Sequence, residues 1–533
     1  MPNNHDKAQP ISAEERDRLF EAACERPMAL CVSGGPDSMA LMHLAAEWLS
    51  SSEKRSYWRN WWEAQRLPCT NILATDIDIA GLERPEWLSH ITTREQLFAC
   101  GGPPPLVVLS VDHGLREESA AEAQFVAREA AKLGLPHQIL RWAGNKPSSG
   151  LQEAARDARR RLILEVLMAE SGIVGQFADG EAFGGFRRDI LFAHHLEDQA
   201  ETFLMRLARG SGLEGLGGMR ASGKIRYDAR DGPPQALEYR VWRPFLGVSK
   251  ARLKASLQAR GAQWIDDPSN EDERFERVRV RRIMAQLEPL GLSAESIALS
   301  ASRLQSAENG LHRLAGPWSP IKWHCGLFGE IELGDRRFLA GYLLVRTLRQ
   351  AIGGFGGDAR EPELAQLEKL AALALDPNAR LSCGGLTLGG CKVEFVGRQA
   401  SVLRVYREGK GDGLATIALD EGRAVEWDGG RFTVVPGAGL GSGAVVRPLG
   451  AEGWAQLKRL VPQLASLRWP AAAVATVPII EKTGVVVSYP AIDELMRSDE
   501  EDVPQTVREA WLAWAKSPPS GFKSTFCGPR LDW

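Results

Sequence analysis

Through the first half of the chain, short runs of consecutive apolar residues alternate with stretches in which apolar residues recur at helical spacing. Met28-Ala-Leu-Cys-Val-Ser33 ends at two glycines, and Ser38 to about Leu49 then carries a helical pattern. So short and continuous an apolar run marks a strand buried on both faces. Leu106-Val-Val-Leu-Ser-Val111 is a second run of this kind, followed by helical spacing from Glu117 to Leu133 and a stop at Gly134-Leu-Pro136. His137 to Trp142 reads as the next strand, Leu151 to about Met168 as an Ala- and Arg-rich helix, and Asp189 to Ala193 as a strand before a helix that starts near Asp198. This alternation predicts an α/β fold with a doubly wound parallel sheet and ligands at the carboxyl ends of its strands.

Two stretches interrupt the alternation: about 50–104, with Trp58, Trp61, Trp62 and Trp87, and the Gly-rich 171–188. Connections this long are functional insertions or surface loops. Beyond Arg243 the spacing turns helical, with helices expected over 249–260, 294–314 and 335–352; from about Leu381 it alternates as in strands. Three domains are expected: 1–235 with the insertion at about 50–104, a helical domain over 236–380, and a C-terminal α+β region over 381–533.

Composition narrows the class. At 533 residues the chain exceeds one ordinary core, and 44% hydrophobic with 25% charged residues is that of a globular protein. A net charge of −3 means that any polyanionic partner must meet a local patch. The eight cysteines form no Cys-x-x-Cys pair, which argues against a zinc ribbon, an iron–sulfur ligand set or a redox dithiol. Reduced thiols, a polar N-terminus and the lack of a long apolar run give the expectation of a cytoplasmic protein with no membrane partner.

The chemistry concentrates at strand ends. Ser33-Gly34-Gly35-Pro36-Asp37-Ser38 joins a strand to a helix and offers free backbone N–H groups, hydroxyls and a helix dipole to polyphosphate. It lacks the lysine of the Gly-x-x-x-x-Gly-Lys loop and is similar instead to the loop of enzymes that cleave ATP between its α and β phosphates. Asp37 would repel phosphates unless a cation is shared, so Mg²⁺ bridging its carboxylate to ATP is expected. The bland reading is a Ser/Gly turn capping a helix. Asp112-His113-Gly114-Leu115-Arg116 ends the second strand; a lone histidine there is more often a structural hydrogen-bonder than a catalyst, but His113 comes with Arg116, whose guanidinium suits phosphate or a carboxylate. Near Asp189–Ala193, His194-His195-Leu-Glu-Asp198-Gln199-Ala-Glu201-Thr202 runs into a helix. Its carboxylates could receive a cationic amine or hold Mg²⁺; zinc is a weaker reading, because adjacent histidines point to opposite sides of a strand. A helix cap with surface salt bridges remains the alternative.

Arginines cluster in two places: Arg156, Arg159, Arg160 and Arg161, and then Arg274, Arg277, Arg279, Arg281 and Arg282, five within nine residues. Either could be a solvated helix face. Beside an adenylating loop they point to an RNA substrate.

In order, Ser-Gly-Gly-Pro-Asp-Ser38, Asp112-His-Gly-Leu-Arg116, Ala155-Arg-Asp-Ala-Arg159, His194-His-x-x-Asp-Gln-x-Glu-Thr202, Arg-Gly-Ser-Gly-Leu213, Arg243-Pro244 and Asp267-Pro-Ser-Asn270 resemble the tRNA isoleucine lysidine synthetases over about residues 28–290. Val446-Arg447-Pro448-Leu449-Gly450 is similar, less specifically, to that family's C-terminal tRNA-contacting domain. The resemblance implies a ligase that adenylates the wobble cytidine of an isoleucine tRNA with ATP and then joins free L-lysine to it. It implies catalytic roles for Asp37, Arg116, Asp198, Glu201 and Arg281, ATP binding by residues 33–38 and His113, and tRNA contacts from Arg156, Arg159, Arg206, Arg209, Arg274, Arg277, Arg279 and Arg282. A homodimer is compatible with all of this, although the residues specify no oligomeric state.

Two features depart from the family pattern: the 50–104 insertion has no counterpart in it, and Val278 stands where the family commonly has Asn. A sulfur-inserting tRNA enzyme shares the loop but needs carrier cysteines. Amidotransferase-linked relatives share it without needing the arginine clusters. A non-catalytic tRNA-binding relative would not need Asp37, Asp198 and Glu201 intact.

Overall fold

The computed structural model describes residues 9–21, 27–51, 105–115, 118–144, 146–147, 150–176, 187, 189–228, 236–266, 276–315, 320–324, 326–334, 341–357, 361–409, 414–420, 425–435, 443–497, 503–515 and 525–527. The Trp-rich insertion, Arg116, the Asp267-Pro-Ser-Asn270 motif and Arg274 lie outside them. The chain divides into two units, Met1–Asp228 with Ala236–Leu311, and Ala229–Gln235 with His312–Trp533.

In the first unit the elements are α1 (Ala13–Glu21), β1 (Met28–Cys31), α2 (Pro36–Ser50), β2 (Leu106–Asp112), α3 (Glu118–Lys132), β3 (His137–Arg141), α4 (Leu151–Gln176), β4 (Asp189–Leu191), α5 (Leu196–Ala208), α6 (Leu213–Leu216), β5 (Ser222–Asp228), β6 (Ala236–Trp242), α7 (Lys250–Gln258), α8 (Glu276–Leu287) and α9 (Ala294–Ala315). One six-stranded sheet has the order β3-β2-β1-β4-β6-β5, parallel except for β5. The short apolar runs form its centre: Met28, Ala29 and Leu30 pair with Leu106, Val107 and Val108 on one side and with Asp189, Ile190 and Leu191 on the other. Met28, Leu30, Leu106, Val108 and Leu191 join Phe20, Trp48 and Phe245 in a core where Phe20 stacks on Trp48 with ring centroids 5.9 Å apart. From β1 the chain moves outward through β2 to β3, then crosses back to β4 on the far side of β1. The crevice between the carboxyl ends of β1 and β4 is thus the switch point at which open α/β sheets bind ligands.

The doubly wound sheet expected from the sequence is present, with three differences of detail. The helix expected to end near Met168 runs to Gln176, because Gly172 and Gly175 each cost only about 1 kcal/mol against alanine, too little to stop it. Strands β5 and β6 had no counterpart among the expected elements. In β6 the alternation of Leu237, Tyr239 and Val241 is that of a strand, and Tyr239 and Val241 are buried. The boundary expected at 235/236 is therefore corrected: β6 pairs with β4 inside the first sheet, and the first unit continues through Leu311.

Buried charges in this unit are matched. Asp189 accepts hydrogen bonds from Arg240 Nε and Nη2 and from Trp242 Nε1 at 2.7–2.9 Å. Arg187 pairs with Glu170 at 2.9 Å and donates to the Met28 carbonyl, which ties α4 to the central strand.

The second unit is not purely helical at its start. β7 (Ile321–His324) and β8 (Phe328–Glu332) join β9 (Leu386–Leu388), β10 (Cys391–Val396) and β11 (Val402–Arg407) in an antiparallel sheet of order β7-β8-β11-β10-β9. The helices Tyr342–Phe355 and Leu364–Leu375 share its core. The helical spacing is real in this stretch, but the strands before it are four and five residues long, too short for their alternation to register. Farther on, β12 (Ile417–Leu419), β15 (Ala444–Pro448), β16 (Pro478–Lys482) and β17 (Val485–Ser488) form a second sheet, and β13 (Val425–Trp427), β14 (Phe432–Val435) and β18 (Thr525–Cys527) a third. Asp428, with no exposed surface, is held between Arg407 and Arg431 at 2.8 and 3.2 Å. Among the described residues no helix is long and apolar enough to cross a membrane.

Candidate active site

At the end of β1 the chain turns through Gly34 at φ +88°, a left-handed conformation that glycine adopts without strain. A Cβ at Gly34 would lie 3.2 Å from Ile265 Cδ1, and the Gly34 carbonyl accepts the Ile265 N–H at 2.9 Å. Gly35 caps α2 and Pro36 occupies its first turn. The Ser38 hydroxyl donates to the Gly35 carbonyl at 3.0 Å and accepts the Ser33 N–H at 3.1 Å, closing the loop upon itself. The Ser33–Ser38 turn is thus built by local bonds and pinned by the segment after α7.

Asp37, on the first turn of α2, faces the N-terminus of α5. His195, 3% exposed, caps α5. Its Nδ1 donates to Glu197 Oε2 at 2.9 Å, while its Nε2 lies 3.4 Å from Asp37 Oδ2 and 3.5 Å from Asp198 Oδ2. Asp198 in turn accepts the His195 backbone N–H at 3.1 Å. Burial opposes a charge on His195, but the hydrogen bonds to Asp37 and Glu197 and the charge of Asp198 outweigh it and carry its pKa from an ordinary 6.5 up to about 10. His195 is therefore an imidazolium that lets three carboxylates share one crevice. Burial would raise Asp37, yet His195 and Lys250 more than offset it and hold its carboxyl below the usual range.

Lys250, at the start of α7, brings its Nζ to 3.3 Å from Asp37 Oδ2 and donates its backbone N–H to both oxygens of Glu197, at 3.2 and 3.0 Å. Among the described residues Asp37 Oδ1 is buried with no hydrogen-bond partner. One turn along α5, Glu201 is fully buried: Arg281 Nε donates to its Oε1 at 2.8 Å, and Oε2 has no partner among the described residues. Burial raises the Glu201 carboxyl and the Arg281 charge opposes it; the net shift is upward. Arg277 Nη1 lies 3.8 Å from Asp198 Oδ1. Helix α8 thus presents Arg277 and Arg281 one turn apart against two carboxylates one turn apart on α5.

The two adjacent histidines, beyond the end of β4, part company. His194 turns toward Phe192, with ring centroids 5.8 Å apart, and burial drives its pKa to about 4, leaving it neutral. His113 sits beyond β2 edge-on to Trp142, with Arg159 Nη2 3.3 Å from its Nε2; burial, then the Arg159 charge, lower it to about 4. Asp112 organises that turn by accepting the Gly114 N–H at 2.9 Å and the Ser119 hydroxyl at 2.7 Å. The charge of Arg156 adds to the lowering of His194. Arg206, expected among the tRNA contacts, has an internal task as well. Its Nη1 donates to the carbonyls of Gly215 and Gly218 at 2.7 and 2.9 Å and clamps the turn after α5. The Gln199 amide holds Met219 from both sides of its peptide, at 2.9 and 2.7 Å. Arg209 pairs with Glu276 at the start of α8, and Arg279 and Arg282 are exposed on that helix. His195, Glu197, Lys250 and Ile265 are the site residues absent from the expected set.

The residues fit a magnesium ion shared with a nucleotide. Among the described residues no group of three or more His, Cys, Asp or Glu side chains could hold a metal ion unaided. Mg²⁺ bound through one carboxylate plus substrate phosphates needs only an open oxygen such as Asp37 Oδ1.

Residues 90–288 match the family model described as "PP-loop domain", a range that begins after the Ser33–Ser38 loop. The chain is 40% identical over 310 residues to the tRNA(Ile)-lysidine synthase of Methylobacterium nodulans, covering 56% of this chain and 83% of that one. It is 38% identical to that of Bradyrhizobium diazoefficiens, covering 70% and 84%. With that of Ruegeria pomeroyi it shares 30% identity over 485 residues, covering 88% and 90%.

Proposed function

The chain belongs to the tRNA(Ile)-lysidine synthase family, and from that premise we propose how its crevice works as an ATP-dependent ligase that joins lysine to the wobble cytidine of isoleucine tRNA. In the first step the cytidine ring oxygen attacks the α phosphate of ATP and pyrophosphate leaves. In the second the ε-amine of free L-lysine attacks the activated ring carbon and AMP leaves with the oxygen. The observation that carries this reading is the convergence of Asp37, Asp198 and Glu201 on the end of β1 and β4, held there by His195, Lys250, Arg277 and Arg281.

The Ser33–Ser38 loop and the α2 N-terminus hold the triphosphate. Mg²⁺ bound to Asp37 and the phosphates would offset charge on the departing pyrophosphate. Asp198 and Glu201 receive the lysine ammonium. Glu201 is suited to take its proton, because burial has raised its carboxyl and Oε2 faces no donor among the described residues. Arg156, Arg159, Arg209, Arg277, Arg279 and Arg282 would form the basic side on which tRNA phosphates rest.

Incubation with ATP, labelled lysine and isoleucine tRNA tests this reading. Lysine incorporated into tRNA with stoichiometric AMP and pyrophosphate supports it. Pyrophosphate release without lysine transfer would assign the chain to another adenylating chemistry.

A further inference from the structure

Asp37 faces two internal cations rather than one. His195 approaches Oδ2 from the α5 side and Lys250 approaches the same oxygen from the α7 side, at 3.4 and 3.3 Å. Oδ1 is left buried with no partner among the described residues. Lys250 is also tied through its backbone N–H to Glu197, the residue that fixes His195. A closed ring therefore runs Asp37–His195–Glu197–Lys250–Asp37, and its only component from outside the α2 and α5 N-termini is the first residue of α7.

The ring solves a charge problem. Asp37, Glu197 and Asp198 bring three carboxylates to within one side chain of a loop meant for a polyanion. The His195 imidazolium cancels one of them, and Arg277 faces Asp198 from 3.8 Å. Without Lys250, Asp37 would confront an entering triphosphate with most of its charge intact.

Resting on the reading of Ser33–Ser38 as an ATP site, we propose that Lys250 is a positioning residue for nucleotide binding. Its ammonium holds Asp37 by Oδ2, neutralises the crevice before ATP arrives, and leaves Oδ1 turned toward a shared cation. Removing that charge makes nucleotide binding depend more steeply on added divalent cation, which then has to supply the lost charge.

The test is equilibrium binding of ATP to the full-length protein without tRNA or lysine, titrated from low to high Mg²⁺. It uses wild type, Lys250→Met and Lys250→Arg, with thermal melting of each. Lys250→Met is expected to bind ATP roughly tenfold more weakly at low Mg²⁺, as one charge a few ångströms from a polyanion would dictate. At saturating Mg²⁺ the deficit should shrink to about twofold or less, since a bound cation replaces the missing one. Lys250→Arg should restore most of the low-Mg²⁺ affinity. A uniform loss at all Mg²⁺ concentrations that arginine does not rescue would overturn the proposal, as would unchanged affinity in Lys250→Met. If wild type itself fails to bind ATP, the reading of the loop falls and the proposal with it.

Discussion

Replacing His195 by glutamine removes the positive charge around which the crevice is arranged. The imidazolium is 4% exposed and lies within 2.9–3.5 Å of Glu197, Asp37 and Asp198. A rise in pKa from 6.5 to about 10 corresponds to roughly 5 kcal/mol of preference for the charged form. Asp37 and Glu197 keep 22% and 30% of their side-chain surface, so solvent screens part of that. Breaking a largely buried ion cluster by deleting one member costs about 3–5 kcal/mol, and the lower end, about 3 kcal/mol, is the expected loss for His195→Gln.

The pH dependence separates this charge effect from a packing defect. The folded pKa of His195 lies above its unfolded value, so the stability it contributes is fully present below about pH 6.5. That contribution declines by about 1.4 kcal/mol per pH unit as pH rises, and is gone by about pH 10. At the acid end, Asp37 and Glu197 are depressed below 3.8 and 4.5, so their contribution is present above those values and is lost as they protonate. The difference between wild type and His195→Gln should therefore be largest between about pH 5 and 6.5 and fade on both sides. Urea unfolding at a series of pH values, read by proteolytic susceptibility of the 189–200 segment, measures it. A difference below about 1 kcal/mol at pH 6, or one that persists undiminished at pH 9, would refute the assignment of His195 as an imidazolium.

Three further outcomes are expected. Gly34→Ala, with φ at +88° and its new methyl 3.2 Å from Ile265, should cost about 1–2 kcal/mol and weaken ATP in a nucleotide titration; normal affinity would show that the loop tolerates the strain. Asp198→Asn and Glu201→Gln should raise the KM for lysine by at least about tenfold while tRNA-dependent pyrophosphate release changes little; equal loss of both steps would remove these residues from the amine site. Arg206→Ala abolishes the hydrogen bonds to Gly215 and Gly218 and should lower stability by about 1–3 kcal/mol with no change in KM for tRNA, whereas a raised KM with unchanged melting would restore the expected tRNA contact.

Legibility in the sequence tracked the range over which each interaction acts. The strand–loop–helix at Met28–Ser50 could be read directly because apolar continuity, glycine and helical spacing are all local. Asp198 and Glu201 could be read for the same reason: residues three apart on one helix share a face whatever the rest of the chain does. Arg281 could be paired with a nucleotide or an adenylate by resemblance, but not with Glu201, because a separation of 80 positions in the chain hides the packing of α8 on α5. Lys250 and Glu197 were illegible for a sharper reason. Their role depends on the sheet folding back at its switch point, so that α7 arrives beside α2 and offers a backbone N–H and an ammonium to two different carboxylates. Nothing in Ser249-Lys-Ala-Arg252 marks that arrival. Arg206 shows the same limit: spacing places it with Arg209 on a helix face but does not reveal that Gly218 brings the following turn close enough to accept from its guanidinium. The loop, the helix caps and the carboxylates were thus local information, whereas the charges that make them work together at neutral pH are supplied by elements distant in sequence and could be assigned only from the fold.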